Sequence, residues 1–333
     1  MAKFRPDTFK VVQVNAENLF IYLDDTSDRD WRKMSEREWQ DLSHATVANK
    51  PLSKTLWLGD SLLHIDADII MVNEVGGVES LTNFSRHFLN DLYTPHLIEG
   101  NSDRGIDVGF LIKKDLELKP ELRTHKDRTL GFLYSHEQAG PTLKSHRFSR
   151  DCAELRLFNN SSNRPAVIML LVHLKSKLDP KGIDPFGRER RRAELKTLIE
   201  IYHEVRAEFT PAVPVIIAGD FNGCAQRALL ADEFASLAHT DLQSVCDLKG
   251  LTPELAATQV QIGRGNKVTT LQIDYIFVSP ELQSELILEG VEVYRYLSDM
   301  RVPMPLPQTM EQRSYLPSDH YPVIATFKNF LQR

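Results

Sequence analysis

The sequence predicts an α/β or α+β domain whose sheets are covered on both faces. Three observations carry this. Eight short apolar, β-branched runs recur along the chain, at residues 11–14, 69–72, 108–112, 152–158, 167–174, 213–218, 273–278 and 323–327. Helix-spaced apolar residues lie between several of them. Many of the runs are almost continuously apolar, as strands are when neither face meets water. Two sheets packed together with helices outside would satisfy all three. No linker-like boundary interrupts the series, so residues 8–330 are expected to form one domain, with 24–50 as an insert.

Each element has its own signal. Val11-Val12-Gln13-Val14, Ile69-Ile70-Met71-Val72 and Val215-Ile216-Ile217-Ala218 are too short for helices and rich in β-branched residues. Leu56, Leu62 and Leu63 predict a helix before residue 69, and Phe84, Phe88 and Leu89 one after Glu74. Leu195, Leu198, Ile199, Tyr202 and Val205 recur at helical spacing within 188–207. Loops are expected at 23–32, 137–150, 176–187 and 297–318, where Pro, Gly, Ser and charge collect. In the insert, Trp31 and Trp39 fit a packed surface helix better than a lid of stacking aromatics.

Composition narrows the class. The chain has 333 residues, 42% hydrophobic, with a net charge of -6. Tight, non-specific coating of nucleic acid calls for a basic surface, so the acidic balance argues against that mode. It does not exclude an enzyme that meets a few phosphates through a metal, because a carboxylate-rich site is itself acidic. Cys152, Cys224 and Cys246 are odd in number and form no CxxC pair, which favours reduced thiols. Residues 1–7 lack the apolar core of a signal peptide, and the longest apolar run, 166–172, is too short to span a bilayer. A cytoplasmic monomer with no stable membrane association is expected.

The polar residues that follow the apolar runs carry the chemistry. Asn15-Ala16-Glu17-Asn18 follows the first strand, Asn73-Glu74 the second, His173-Leu174-Lys175-Ser176-Lys177 the fifth and Gly219-Asp220-Phe221-Asn222-Gly223 the sixth. Asp274 sits inside its own run, and Ser318-Asp319-His320 precedes the last. If these strand ends share one sheet edge, the side chains meet in one pocket. Oxygen donors of this kind suit Mg²⁺ or Mn²⁺, whereas zinc would call for more His and Cys. Each fragment alone has a plainer explanation. Asn15 can cap a turn, Glu74 can serve a helix N-terminus, and Asp220 with Asn222 can form a turn. The cluster Arg188, Arg190, Arg191 and Arg192 opposes the dipole of the helix it begins, so an anion nearby is expected, with a substrate phosphate as one candidate.

The order of these motifs resembles that of the endonuclease/exonuclease/phosphatase superfamily, the deoxyribonuclease I-like enzymes, from Val11 to Phe327. The resemblance implies a four-layer α/β sandwich of two packed, mostly antiparallel sheets flanked by helices. It implies a divalent-metal-dependent phosphodiesterase, foremost a nuclease acting on DNA or RNA. Hydrolysis of lipid headgroups or inositol phosphates is the alternative, and an inactive binding protein of the same fold a third reading. It further implies Glu74 as metal ligand, with Asp319 near the metal and Glu17 as an added ligand. Asp220 would orient or deprotonate the attacking water, Asn222 and Asn15 would contact phosphate, and Asp274 would partner His320 at the scissile phosphate. His173 falls where some members carry a second catalytic histidine. The proton for the leaving oxygen could come from His173 or from a metal-bound water. No tyrosine near His173 matches that of abasic-site enzymes, which argues against abasic-site specificity. Arg104, in a segment resembling bacterial members, and Arg188 are expected at substrate phosphate, with Asp107 behind them. Lys175 and Lys177 would face an extended anionic substrate together if their strand persists that far.

Overall fold

The computed structural model describes residues 7–24, 29–138, 144–159, 162–179 and 182–331. Parts of three expected loops, at 25–28, 139–143 and 180–181, lie outside the described residues. In chain order the strands are β1 (Thr8–Leu19), β2 (Ile69–Val75), β3 (Tyr93–His96), β4 (Asp107–Lys113), β5 (Leu118–Thr124), β6 (Cys152–Asn159), β7 (Pro165–His173), β8 (Val215–Asp220), β9 (Gln243–Ser244), β10 (Gln259–Ile262), β11 (Val268–Leu271), β12 (Asp274–Val278), β13 (Leu286–Val293) and β14 (Val323–Lys328). The helices are α1 (Glu36–Asp41), α2 (Leu52–Ile65), α3 (Gly77–Phe88), α4 (Arg188–Ala207), α5 (Val245–Lys249), α6 (Pro280–Gln283) and α7 (Met310–Tyr315).

Twelve of these strands form two six-stranded sheets, ordered β13-β14-β1-β2-β4-β3 and β5-β6-β7-β8-β12-β9. Only β1–β2 and β7–β8 pair in parallel; the other ladders are antiparallel. Side chains of a strand alternate between faces, and β7 shows what this does here. Val167, Met169 and Leu171 point into the core shared by the two sheets, while Ile168, Leu170 and Val172 pack beneath α4. The helical stripe Leu195, Leu198, Tyr202 and Val205 covers that outer face. On the other sheet α2 and α3 bury Leu58, Leu62, Leu81 and Phe84. Helices therefore cover both outer faces, and the central strands read as continuous apolar runs because both their sides are buried.

All eight expected strands are present, and the helix expected at 188–207 has those bounds. Residues 31–41 fold as a short 3-10 turn and α1, with Trp31 and Trp39 buried and ring-to-ring. The packed reading of the insert is therefore the one found. The segment 297–316 packs only in part. Met304 and Leu306 do pack on the body, but Met300, Val302 and Met310 are exposed. No helix of the described residues is long and apolar enough to cross a membrane.

Candidate active site

The ladders bring the strand ends together. Parallel pairing sets Asn15 opposite Asn73 in one sheet and His173 opposite Asp220 in the other. Antiparallel β12 places Asp274 opposite Asp220. Because Val323 pairs with Gln13, the turn holding Ser318, Asp319 and His320 lies at the same end. Local sequence makes these approaches feasible. Gly219 has φ of 140°, and a Cβ there would collide with the Val172 carbonyl, so only glycine lets β8 lie this close to β7 just before Asp220. The β1–β2 and β2–β4 ladders break register beside Glu17, Asn18 and Glu74, which take φ of 47°, 56° and 63°. Left-handed backbone at non-glycine residues costs on the order of 1–3 kcal/mol each, and the bulges re-aim these side chains toward the pocket.

Buried amides join the two sheets beneath the site. Gln13 Nε2 donates to Asn73 Oδ1 at 2.9 Å and to Asp274 Oδ1 at 3.1 Å, and Asn73 Nδ2 donates to the Val172 carbonyl at 2.8 Å. Ser318 Oγ donates to the Asn15 carbonyl and accepts from the His320 amide, which fixes the final turn against β1.

Above them lies a buried, charged floor. His320 Nδ1 is 2.7 Å from Asp274 Oδ2. Burial alone would depress the His320 imidazolium, but Asp274 and Asp319 outweigh it and hold the ring protonated well above its usual range. Gln259 places its side-chain amide 2.9 Å from His320 Nε2, and an imidazolium there calls for the amide oxygen on that side. Asp220 Oδ1 accepts from the Asn222 amide at 2.7 Å, and Oδ2 accepts from Asn15 Nδ2 at 3.1 Å. Burial, then the Asp274 charge, pushes the Asp220 carboxyl above its usual range. His173 Nε2 lies 3.4 Å from Asp220 Oδ2 and 4.0 Å from Glu74 Oε1. Burial, then the Arg150 cation, holds His173 neutral.

The rim is wetter. Glu74 is half-buried, and its Oε2 accepts from the Asn18 amide at 3.1 Å. Glu17 pairs with Lys54 at 3.1 Å, Asp319 pairs with Arg313, and Arg104 donates to Asn18 Oδ1 at 2.7 Å. Asn222 Nδ2 is turned to the Leu174 carbonyl at 3.1 Å. Asp107 is buried and accepts from the Gly100 amide at 2.8 Å.

The remaining expected contacts lie farther out. β7 ends at His173, so Lys175 and Lys177 do not share a strand face. Lys175 Nζ donates to the Ser176 and Leu178 carbonyls, and Lys177 is exposed, within the field of Asp220. Arg188 is exposed and stacked over Phe186 at 5.4 Å. The anion expected at the start of α4 is the protein's own: Asp184 accepts from the Glu189 and Arg190 amides, and Glu233 pairs with Arg191 at 2.8 Å.

Four residues escaped the sequence reading. Gln13 and Gln259 are described above. Arg150, on the segment entering β6, is only 6% exposed; its Nη1 donates to Ser149 Oγ, and its Nε has no hydrogen-bond partner among the described residues. Burial lowers its pKa, and Glu194, Glu74 and Asp220 oppose that shift only in part. Lys50 is buried at the rim, with Nζ 3.0 Å from the Glu17 carbonyl, and burial pushes it down to about 8. No local pattern separates such residues from surface charge; left-handed Glu17 and Glu74 mark the place only once the backbone is known.

The donor set fits a hard divalent cation, being made of carboxylate and amide oxygens. Asp220, Asp274 and His320 bring ligand atoms within 4.8 Å of one another. The Asp274–His320 bond already occupies one carboxylate oxygen and one ring nitrogen of this group, and an imidazolium repels a cation. Glu74 is better suited, since among the described residues it pairs with no lysine or arginine.

The family model described as the endonuclease/exonuclease/phosphatase family matches residues 49–320. No curated protein matches the chain by sequence. Among the solved structures that share the fold are the following three. Truncated Caenorhabditis elegans TDP2 is 17% identical, with 96% of this chain and 97% of that one covered and a TM-score of 0.55. D. rerio TDP2 in complex with a single strand DNA product is 14% identical, with 96% and 98% covered and a TM-score of 0.57. The human nocturnin catalytic domain with a bound sulfate anion is 17% identical, with 98% and 96% covered and a TM-score of 0.56. With its motifs gathered at one end of the sandwich, the chain belongs to the endonuclease/exonuclease/phosphatase family, as a divalent-metal-dependent hydrolase of phosphate esters.

Proposed function

We propose that this protein is a Mg²⁺- or Mn²⁺-dependent phosphodiesterase that cleaves nucleic acid. The observation that carries the proposal is the buried floor of Asp220, Asp274 and His320, ringed by the cations Arg104, Arg150 and Lys50. Negative charge builds on the non-bridging oxygens as phosphorus is attacked. His320, kept protonated by Asp274, offsets it where little water screens the interaction. Asp220 accepts the proton of the attacking water, for which a raised pKa suits it. Asn15 and His173 flank the Asp220 carboxylate and set its orientation. Arg150 and Arg104 meet phosphate oxygens, and Asn222 holds the turn after Asp220. Glu74 would hold the metal, with Asp319 and Glu17 as further oxygen donors once released from Arg313 and Lys54; when bound, the metal supplies positive charge to the phosphoryl and leaving oxygens.

Nucleic acid is favoured over other esters by the cations around the floor and by the DNA product bound to the similar D. rerio TDP2. The test is cleavage of supercoiled plasmid, single-stranded DNA and RNA, beside a small diester, a phosphomonoester and inositol phosphates, with Mg²⁺ or Mn²⁺ and with chelator. Strand cleavage that requires metal and is lost in His320→Ala supports the proposal. Metal-dependent turnover of small esters alone would overturn its nucleic-acid part.

A further inference from the structure

A cleft of about 940 Å³ opens beside the rim, between α2, the turn at 297–303 and α7. It is continuous with the site in two ways. Lys54 lines the cleft and pairs with Glu17 at the rim. α7 carries both Arg313, which pairs with Asp319, and Tyr315, which faces the cleft two residues later. The helix is held firmly for its six residues. Thr309 caps its start by accepting from the Gln312 amide, and buried Leu316 anchors its end.

Tyr315 is 66% exposed, yet it is not loose. Trp57 of α2 meets it edge-on, with centroids 5.5 Å apart and planes at 65°, and Trp57 is in turn backed by Tyr296. A large aromatic held by other aromatics at the wall of a wet cleft buries little of its own surface. Its free area suits a flat partner that arrives from outside. Across the cleft a tight turn, closed by the Arg301 amide to the Ser298 carbonyl and the Ser298 amide to the Val302 carbonyl, presents exposed Arg301. Asp60 on the same wall is engaged by Arg32 at 2.5 Å. Lys54 and Arg301 thus offer two cations in the same cleft as the aromatic platform, beside the exposed carboxylate of Asp299. Single-stranded nucleic acid is recognised by this combination of positive groups for the backbone and aromatic faces for the bases.

We infer that this cleft is a subsite for an unpaired nucleotide flanking the scissile phosphate, with its base stacked on Tyr315 and its backbone phosphate between Lys54 and Arg301. The inference rests on the nucleic-acid reading of the active site and narrows it to strands with an unstacked base beside the cut.

The test compares wild type, Tyr315→Ala and Tyr315→Phe on a single-stranded DNA oligonucleotide, the matching duplex and methyl p-nitrophenyl phosphate, a diester without a flanking base. In Tyr315→Ala the ratio of kcat/KM for the strand to that for the small diester falls about tenfold, mainly through KM. Tyr315→Phe restores the ratio because stacking needs the ring and not the hydroxyl. The duplex, whose bases are already stacked, loses less. An unchanged ratio in Tyr315→Ala, with wild type cleaving the strand, overturns the subsite and leaves the nuclease reading standing. If wild type hydrolyses the small diester but no oligonucleotide, the nucleic-acid reading has failed and the subsite with it. Unchanged strand kinetics together with weaker sedimentation of Tyr315→Ala on phosphatidylglycerol vesicles would make the face, with Met300 and Val302, a lipid-contact surface and overturn the inference.

Discussion

The floor and the rim of the site use the same residue types to different ends. On the floor, Asp220, Asp274, His173 and His320 are all at most 5% exposed, and Asp220, Asp274 and His320 have fixed partners, whereas His173 Nδ1 has none among the described residues. On the rim, Glu17, Glu74 and Asp319 are partly wet and meet mobile-ended cations such as Lys54 and Arg313. A buried ion pair is strongly felt and costly to break, whereas an exposed one contributes about 0–1 kcal/mol and exchanges partners readily. Under the proposed function, the fixed floor would hold the reaction geometry, and metal and substrate would enter at the rim, where ion pairs can be traded.

The sharpest way to break this contrast is on the floor. His320→Ala and Asp220→Asn should each lower kcat by about 10³-fold or more, with circular dichroism and melting behaviour close to wild type. Asp274→Asn keeps the shape but removes the charge that holds His320 protonated, so a loss approaching that of His320→Ala is expected. Full activity in any of the three would show the floor to be structural only.

On the rim, Glu74→Gln should act on metal dependence before turnover. The metal concentration for half-maximal rate should rise at least about tenfold, with kcat partly recovered at saturation. An unchanged titration would remove Glu74 from the metal's ligands and return attention to Asp220 and Asp274.

Arg150 sits between the two zones, buried like the floor but with its Nε unpartnered like a group awaiting a ligand. Arg150→Lys keeps the charge and loses the planar fork. If the guanidinium grips phosphate, kcat/KM should fall about 10- to 100-fold, the effect of losing a charge-assisted bond of about 1.5–3 kcal/mol. A lysine variant that is fully active but less stable would make Arg150 a structural residue.

The same contrast explains what the sequence disclosed. β1, β2, β7, β8 and β12 are buried on both faces, so their residues had to be apolar and the runs announce themselves. β5, with its alternate residues exposed and Pro120 inside it, and β13, which bulges between Ile287 and Glu292, sit at sheet edges and carry no such run. The candidate acids Asp220 and Glu74 were legible because they follow directly on buried strands, in Gly219-Asp220 and Asn73-Glu74. Arg150, Lys50 and Gln259 were not, because composition does not distinguish a cation or amide turned into a site from one on the surface; tertiary packing alone decides it. The shared strand face expected of Lys175 and Lys177 is absent for a related reason: the period-2 argument holds only while the ladder lasts, and it ends at His173.

Burial alone could raise a carboxyl's pKa without any catalytic purpose, and Asp151 supplies the control. It is 1% exposed and lies outside the floor, where it accepts from the Thr124 hydroxyl at 2.6 Å and the His125 amide at 3.0 Å. Burial outweighs both bonds and raises its pKa from 3.8 to about 6. The folded state therefore binds this proton more tightly than the unfolded chain. The group's contribution to stability is full below the unfolded value and is lost as pH rises through the folded one, a change on the order of 3 kcal/mol. Asp151→Asn retains the shape and an acceptor but cannot ionise. Subtracting its urea-unfolding free energy from that of wild type, at intervals between pH 4 and 7, should give a difference that falls with rising pH and levels off above about 6, while kcat on the small diester is unaffected. A flat difference would mean that Asp151 titrates normally despite its burial. The raised Asp220 would then owe its position to Asp274 rather than to the dryness of the floor.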